Sequence, residues 1–154
     1  MHNCTTHSDC IAEALHRAEE ICDKRDLRFT DVRRKVLELV WQSHGPIKAY
    51  DILDQLDQRI AAIKPPTVYR ALDFLTENGL VHKINSLNAF VGCSHPLRHR
   101  ECYFLICSDC GEAKECCNLD IVDAVAKTSS RNRFEIKHVT LEITGECGDC
   151  RGVH

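Results

Sequence analysis

Two pairs of cysteines have the spacing at which proteins most often bind metal ions. Cys107 and Cys110 form one CxxC pair, and Cys147 and Cys150 form the second. Each pair can present two thiolates from a tight turn, and four sulfurs around one cation give the tetrahedral set that structural Zn²⁺ prefers. We therefore predict a closed zinc site at these four residues.

The distance between the two pairs indicates what the metal would do. Residues 111–146 separate them, which is a longer interval than in a zinc ribbon. We therefore expect the metal to join the two ends of a helix-plus-strand subdomain. The alternative is a redox pair of the thioredoxin type, but that chemistry needs only one CxxC beside a βαβ pattern, and no such pattern is present.

Composition limits the class of protein. A chain of 154 residues forms one ordinary domain or two small ones. No apolar run approaches the roughly 20 residues of a membrane span, and no signal peptide precedes the 11 cysteines. We expect a soluble, cytoplasmic protein whose cysteines are free or metal-bound thiols, because the cytosol is reducing. The net charge of -3 gives no general support to nucleic-acid binding, although segment 28–84 alone has more basic than acidic residues.

The first residues carry several soft ligands but little pattern. We expect residues 1–8 to be disordered, as short terminal segments usually are. A loosely held metal is the alternative, since histidines and cysteines are concentrated here: His2, Cys4, His7 and Cys10.

The elements that must position a site begin with four helical patterns. Apolar residues recur at three- and four-residue steps after Ser8, after Thr30, over 48–59 and over 65–79. Two short strands around the turn 85–88 follow. Helices followed by a hairpin are the winged-helix plan, in which the last helix enters the DNA major groove. The residues predicted to face that groove are Thr67, Tyr69 and Arg70, and a plain helical core with a solvated face is the alternative.

The second half has a different organisation. A polar connector at 94–100 indicates a hinge between a domain at 1–93 and a domain at 101–154. Strands flank the first CxxC, a helix follows Asn118, and residues 134–143 alternate like a bulged strand. We expect this helix to pack on a small antiparallel sheet with an open edge, which is a natural dimerisation unit. The predicted fold class is α+β.

Further possible metal ligands lie on both sides of the hinge. A cation bound by residues from both domains would fix the angle between them, so metal binding would set the relative orientation of the two domains. The candidates are His82, Cys93, His95, His99, Cys102, Glu115, Cys116 and Cys117.

Taken together, these motifs resemble the ferric uptake regulator family and, within it, the zinc uptake regulator branch. The resemblance rests on the run KPPTVYRALDFL at 64–75, GLVHK at 79–83, and the two CxxC pairs. It covers about residues 12–150. It implies a winged-helix DNA-binding domain, a dimerisation domain, a structural zinc at the four cysteines and a second, sensing zinc near the hinge, so two zinc ions per subunit.

The resemblance also assigns residues. By position, the sensing ligands of the zinc branch fall on His82, Cys93, His99 and Glu115, with His95 as an alternative to His99. Tyr69 and Arg70 fall on the recognition helix, and Tyr50 falls on a helix that also approaches DNA. Two imidazoles, one thiolate and one carboxylate form a four-coordinate, partly soft set that favours Zn²⁺ over Mn²⁺ or Mg²⁺.

The sequence therefore predicts a zinc-sensing repressor of zinc-uptake genes. It would act as a homodimer on double-stranded DNA with a pseudo-palindromic operator, without a membrane or an organic substrate. No nucleophile and base occur in a catalytic arrangement, so we do not expect an enzyme. A regulator of the same family that senses another metal, a zinc-buffering protein and a thiol-based sensor are the alternatives.

Overall fold

The computed structural model describes residues 7–60 and 62–152, and the chain divides into two compact units. The first unit ends at Pro96 and the second begins at Leu97. This division falls inside segment 94–100, the predicted hinge. No helix in the described part of the chain is long and apolar enough to cross a bilayer.

Four helices form most of the first unit, and each begins where the sequence provides a start signal. Thr30 caps the second helix by accepting a hydrogen bond from the Arg33 amide, as predicted. Two prolines occupy the first turn of the fourth helix, where a missing amide hydrogen costs nothing. The helices are α1 His7–Lys24, α2 Asp31–Gln42, α3 Ala49–Asp57 and α4 Pro65–Glu77.

The first helix begins slightly earlier than expected. His7 and Ser8 belong to α1, although residues 1–8 were expected to be disordered. Asp9 lies in the first turn, where a carboxylate interacts favourably with the helix dipole. Residues 1–6, with His2 and Cys4, lie outside the described residues.

The predicted hairpin follows the four helices. Strands β1 Val81–Ile84 and β2 Ala89–Gly92 pair antiparallel, with Val81 opposite Gly92. Ile47, just before α3, joins β2 through two backbone hydrogen bonds to Phe90, of 3.0 and 2.8 Å. This bridge attaches the hairpin to the helices, so the first unit has the winged-helix arrangement.

The core of the first unit consists of the apolar faces of all four helices and the hairpin. Its largest fully buried side chains are Leu37, Leu39, Ile52, Leu56, Leu72, Leu75 and Ile84. The indole of Trp41 packs directly over Gly92 in β2. A methyl group at Gly92 would lie 2.5 Å from Trp41 Nε1 and 2.9 Å from Cδ2.

The second unit is a three-stranded sheet with one helix. A short 3₁₀ helix, Pro96–Glu101, leads into it, and the strand order is β4-β3-β5. β3 and β4 pair antiparallel, whereas β3 and β5 pair parallel. The elements are β3 Cys102–Cys107, β4 Ala113–Cys117, α5 Leu119–Arg131 and β5 Glu142–Gly145.

This sheet corrects two expectations. It is mixed rather than antiparallel, because β5 follows a helical connection and runs beside β3 in the same direction. The predicted bulged strand over 134–143 forms only its last part, since regular pairing begins at Glu142. The Leu141 carbonyl already accepts a hydrogen bond of 3.1 Å from the Phe104 amide of β3. Residues 134–140 alternate in polarity but belong to no strand in the described chain, so alternation alone was not sufficient evidence for a strand.

The second unit leaves much of its apolar surface exposed. Asn118 caps α5 by accepting a hydrogen bond of 2.8 Å from the Asp120 amide, yet no residue of α5 is fully buried. Large apolar side chains around α5 and β5 are exposed to solvent in the single chain: Leu119, Phe134, Ile136, Val139 and Ile143.

Candidate metal centre and nucleic-acid interface

The turn between β3 and β4 positions the first cysteine pair. Cys107 is the last residue of β3, and its amide donates to the Glu112 carbonyl at 2.9 Å. Gly111 donates back to the Cys107 carbonyl at 3.0 Å and has a φ of 73°. That left-handed conformation favours glycine, so the glycine after the second cysteine lets the turn fold tightly. Cys107 and Cys110 therefore come from one closed knuckle.

The second pair follows β5 and reaches the same place because β5 is parallel to β3. Cys107 lies opposite Gly145, and the Ser108 amide donates to the Gly145 carbonyl at 2.8 Å. The chain then turns, with the Arg151 amide donating to the Cys147 carbonyl at 3.0 Å. Two strands that run side by side thus deliver both CxxC pairs to one end of the sheet.

The four sulfurs have the geometry of a zinc site. All four lie within 4.8 Å of one another, and Cys110 Sγ is 3.8 Å from Cys147 Sγ. Zinc–sulfur bonds of about 2.3 Å in a tetrahedron place neighbouring sulfurs about 3.8 Å apart. The Cys147 amide also donates to Cys107 Sγ at 3.3 Å, which favours a thiolate there. The residues present fit Zn²⁺, and the structure brings together all four predicted ligands.

The pKa values of Cys107 and Cys150 are shifted by the groups that surround them. Backbone amides, first that of Cys110 and then that of Cys147, lower the pKa of Cys107 to about 6. The pKa of Cys150 is raised, because the neighbouring sulfurs, first that of Cys147, hold its thiol proton. One sulfur thus carries negative charge while another keeps its proton, and a bound dication would replace that proton.

Two of the predicted sensing ligands lie together in the first unit. His82 is in β1 and Cys93 directly follows β2, and both side chains are buried, with 8% and 2% of their surface exposed. A ring nitrogen of His82 and Cys93 Sγ lie within 4.8 Å of each other. The Cys93 amide donates to the Leu80 carbonyl at 3.0 Å, which extends the hairpin and fixes this cysteine.

The other two predicted sensing ligands belong to the second unit. His99 lies in the 3₁₀ helix just before β3, and Glu115 lies in β4 opposite Phe104. His95, the alternative to His99, is an exposed residue of the first unit. The assignment of all four ligands to one ion stays a prediction.

The structure also contains a bond that sequence reasoning missed. Cys102 and Cys117, directly opposite each other in β3 and β4, form a disulfide, and Cys10 is disulfide-bonded as well. The expectation that all cysteines are free or metal-bound thiols is therefore wrong. The register between β3 and β4 decides which of their side chains face each other, and the sequence spacing of Cys102 and Cys117 does not reveal that register.

The leading end of α4 presents the predicted DNA-contacting side chains. Thr67, Tyr69 and Arg70 are exposed, whereas Val68 between them is buried in the core. The Arg33 guanidinium of α2 lies 3.5 Å from the centre of the Phe74 ring and holds the buried side of α4.

Tyr50, the remaining candidate, lies in the first turn of α3 and is 67% exposed. The four predicted DNA-binding side chains are therefore all accessible, and their role at DNA stays a prediction.

Comparison with known proteins places these features in a family. The family model described as Ferric uptake regulator family matches residues 24–144. The chain is 42% identical to the Zinc uptake regulation protein of Escherichia coli (strain K12) over 141 residues, which cover 90% of this chain and 81% of that protein.

Two solved structures are similar over almost the whole chain. A zinc uptake regulator in complex with zinc and DNA is 40% identical, with a TM-score of 0.87, and the match covers 93% of this chain and 96% of that one. The holo form of XcZur is 41% identical, with a TM-score of 0.83, over 90% of this chain and 96% of that one.

Proposed function

The chain belongs to the ferric uptake regulator family, and we propose that it is a zinc-responsive transcription regulator that binds double-stranded DNA as a homodimer. The observation that carries this proposal is its likeness, over 93% of its length, to a zinc uptake regulator solved with zinc and DNA. It is not an enzyme. It acts in the cytoplasm, where its zinc-loaded form represses genes for zinc uptake.

The DNA contact is made by the exposed end of α4. Arg70 reaches phosphate or a guanine edge, and Thr67 and Tyr69 contact the groove beside it. Tyr50 on α3 approaches the backbone of the same duplex. A dimer with two-fold symmetry presents two such helices, so its operator is pseudo-palindromic.

The dimer forms through the second unit. Its exposed apolar side chains, such as Leu119, Phe134 and Val139, are the kind of surface that a subunit interface covers. In the single chain β5 is an edge strand of the sheet, and a strand of a partner subunit can pair with such an edge. Zinc at the four cysteines joins the adjacent ends of β3 and β5 and so stabilises the conformation of this surface.

The regulatory zinc binds to His82, Cys93, His99 and Glu115, which gives two zinc ions per subunit. The buried, closely spaced donors His82 and Cys93 support this assignment within the first unit. One thiolate and one carboxylate cancel the two charges of the ion, so a filled site leaves no net charge among buried groups. When bound, zinc supplies only coordination bonds, and the ligands convert occupancy into a fixed arrangement.

The switch requires zinc to favour the DNA-competent form. A ligand shifts an equilibrium only by its difference in affinity for the two forms. Coupling free energies of about 1 to 3 kcal/mol per site are typical, and the two sites of a dimer add their contributions. A combined preference of about 4 kcal/mol would change the ratio of the two forms nearly a thousandfold.

The test is DNA binding at controlled free metal concentrations. Electrophoretic shifts with genomic DNA fragments are measured in buffered zinc, iron(II) and manganese(II), with the full-length protein. We expect a sequence-specific shift that zinc induces and the other two metals do not. Equal shifts with iron(II) would indicate a regulator of the same family that senses another metal. Stoichiometric zinc uptake without any preferred DNA sequence would indicate a zinc buffer, and either result would overturn the proposal.

A further inference from the structure

The cysteine pair Cys102 and Cys117 has no place in the structural zinc site. The two residues are directly opposite each other at the end of the β3–β4 ladder that is farther from the zinc turn. Their Cα atoms are 4.1 Å apart, and their sulfurs are bonded. Both are half-buried, and Cys116, the neighbour of Cys117, is a free thiol.

The surroundings of this pair accommodate its reduced form as well. The Arg98 carbonyl lies 3.3 Å from Cys102 Sγ, and a Glu115 carboxylate oxygen lies 4.0 Å from Cys117 Sγ. When the disulfide is broken, each thiol thus has a nearby oxygen that can accept a hydrogen bond from it. Cleavage therefore leaves neither thiol without a nearby hydrogen-bond acceptor.

The position of the pair connects it to the regulatory site. Cys102 follows the 3₁₀ helix that carries His99, and Cys117 lies two residues after Glu115 on the same face of β4. A Glu115 oxygen is also within 4.8 Å of Cys102 Sγ. A bond between the two sulfurs thus ties the segment that carries His99 to the strand that carries Glu115.

From these observations we propose that Cys102 and Cys117 form a reversible redox site that takes low-molecular-weight disulfides as its oxidants and sets the zinc affinity of the regulatory site. The regulatory part of this inference rests on the proposed function. Disulfides in cytosolic proteins, where they occur, are usually transient and redox-sensing. The oxidised form binds regulatory zinc more tightly, because the cross-link holds His99 and Glu115 near their bound positions before the ion arrives.

The chemistry is thiol–disulfide exchange in two steps. One protein thiolate attacks a sulfur of the small disulfide, forms a mixed disulfide and releases one small thiolate. The second protein thiolate then attacks the protein sulfur of that mixed disulfide and expels the second small thiolate. Two electrons pass from the protein sulfurs to the small disulfide, and the two protons of the cysteines end on the two small thiols.

The first experiment tests the redox site itself. The full-length protein, with its four-cysteine site loaded with zinc, is equilibrated in reduced and oxidised glutathione, and its cysteines are identified by alkylation and peptide mass spectrometry. We expect Cys102 and Cys117 to become linked and unlinked together as the buffer changes, while Cys116 stays alkylated and no zinc is lost. If Cys102 and Cys117 stay alkylated in the most oxidising buffer, or pair with Cys116, the site does not exist.

The second experiment tests regulation. Zinc affinity is measured by competition with a chelating dye, and DNA binding is measured at buffered zinc, for the oxidised and reduced protein. We expect the reduced form to bind regulatory zinc about fivefold more weakly, at the lower end of typical coupling between sites. The variant C102S/C117S should respond to zinc but not to glutathione, and C116S, the matched control, should behave like the original chain.

The outcomes separate the two proposals. Zinc-dependent DNA binding that is equal in both redox forms would overturn the regulatory role and leave the proposed function intact. Tighter zinc binding in the reduced form would also overturn it, because the thiols would then act as extra ligands. If zinc fails to induce DNA binding in either form, the proposed function itself is wrong.

Discussion

Substitution of Gly92 by alanine should destabilise the first unit, because the added methyl group has no room. It would lie less than 3 Å from three atoms of the Trp41 indole. Ordinary contacts between carbon atoms are about 3.5 to 4.0 Å, so the ring or the strand must move by about 1 Å. Overpacking of this kind costs about 2 kcal/mol and should lower the melting temperature of a unit of this size by roughly 8 to 16 °C.

The assay uses the indole as its own reporter. Trp41 is the single tryptophan of the chain, so its fluorescence follows the first unit during thermal or urea unfolding. Gly45→Ala is the matched control, because a methyl group there meets no atom within 4 Å. We expect the control to stay within about 0.5 kcal/mol of the original chain.

The same substitution should also weaken zinc regulation. Cys93 follows Gly92 directly, so a displaced β2 moves this proposed ligand away from His82. Replacing Trp41 by phenylalanine in the Gly92→Ala chain should recover part of the lost stability, because the smaller ring makes room for the methyl group. Unfolding of this variant is followed by circular dichroism, since it contains no tryptophan. If Gly92→Ala and Gly45→Ala melt at the same temperature, the contact between strand and indole does not have the cost inferred for it.

Three further predictions address the metal sites and the DNA contact. Cys107→Ser should prevent stable folding or dimerisation of the second unit, measured by zinc content and sedimentation, and a folded, zinc-free dimer would refute the structural role. Cys93→Ala should abolish zinc-dependent DNA binding while the dimer stays folded, and an unchanged zinc dependence would remove it from the sensing site. Arg70→Ala should weaken DNA binding by about 1 to 3 kcal/mol at every zinc concentration, whereas Lys24→Ala, an exposed control, should leave the footprint unchanged.

Patterns within a single element were readable from the sequence. The helices and the hairpin were predicted because periodicity and turn residues are local, and α4 lies within one or two residues of its predicted bounds. The four-cysteine site was predicted because CxxC spacing constrains a turn directly. Local patterns therefore predicted most of the elements and the ligand types, although the strand over 134–143 was predicted too long.

Relations between distant elements were less readable. The direction of β5 does not appear in its own residues, since a strand of given polarity pairs either way. One signal was available: each CxxC pair directly follows a strand, so two such strands must run parallel if the pairs are to meet. The Cys102–Cys117 pair had no comparable signal, because it depends on the register between β3 and β4.

The parallel arrangement of β3 and β5 determines when, during its synthesis, the chain can bind the metal ion of the four-cysteine site. The last donors of the four-cysteine site lie about forty residues after the first, so the ion can be captured only when both strands have been made. Each new copy must therefore withdraw one metal ion from the pool whose level it reports.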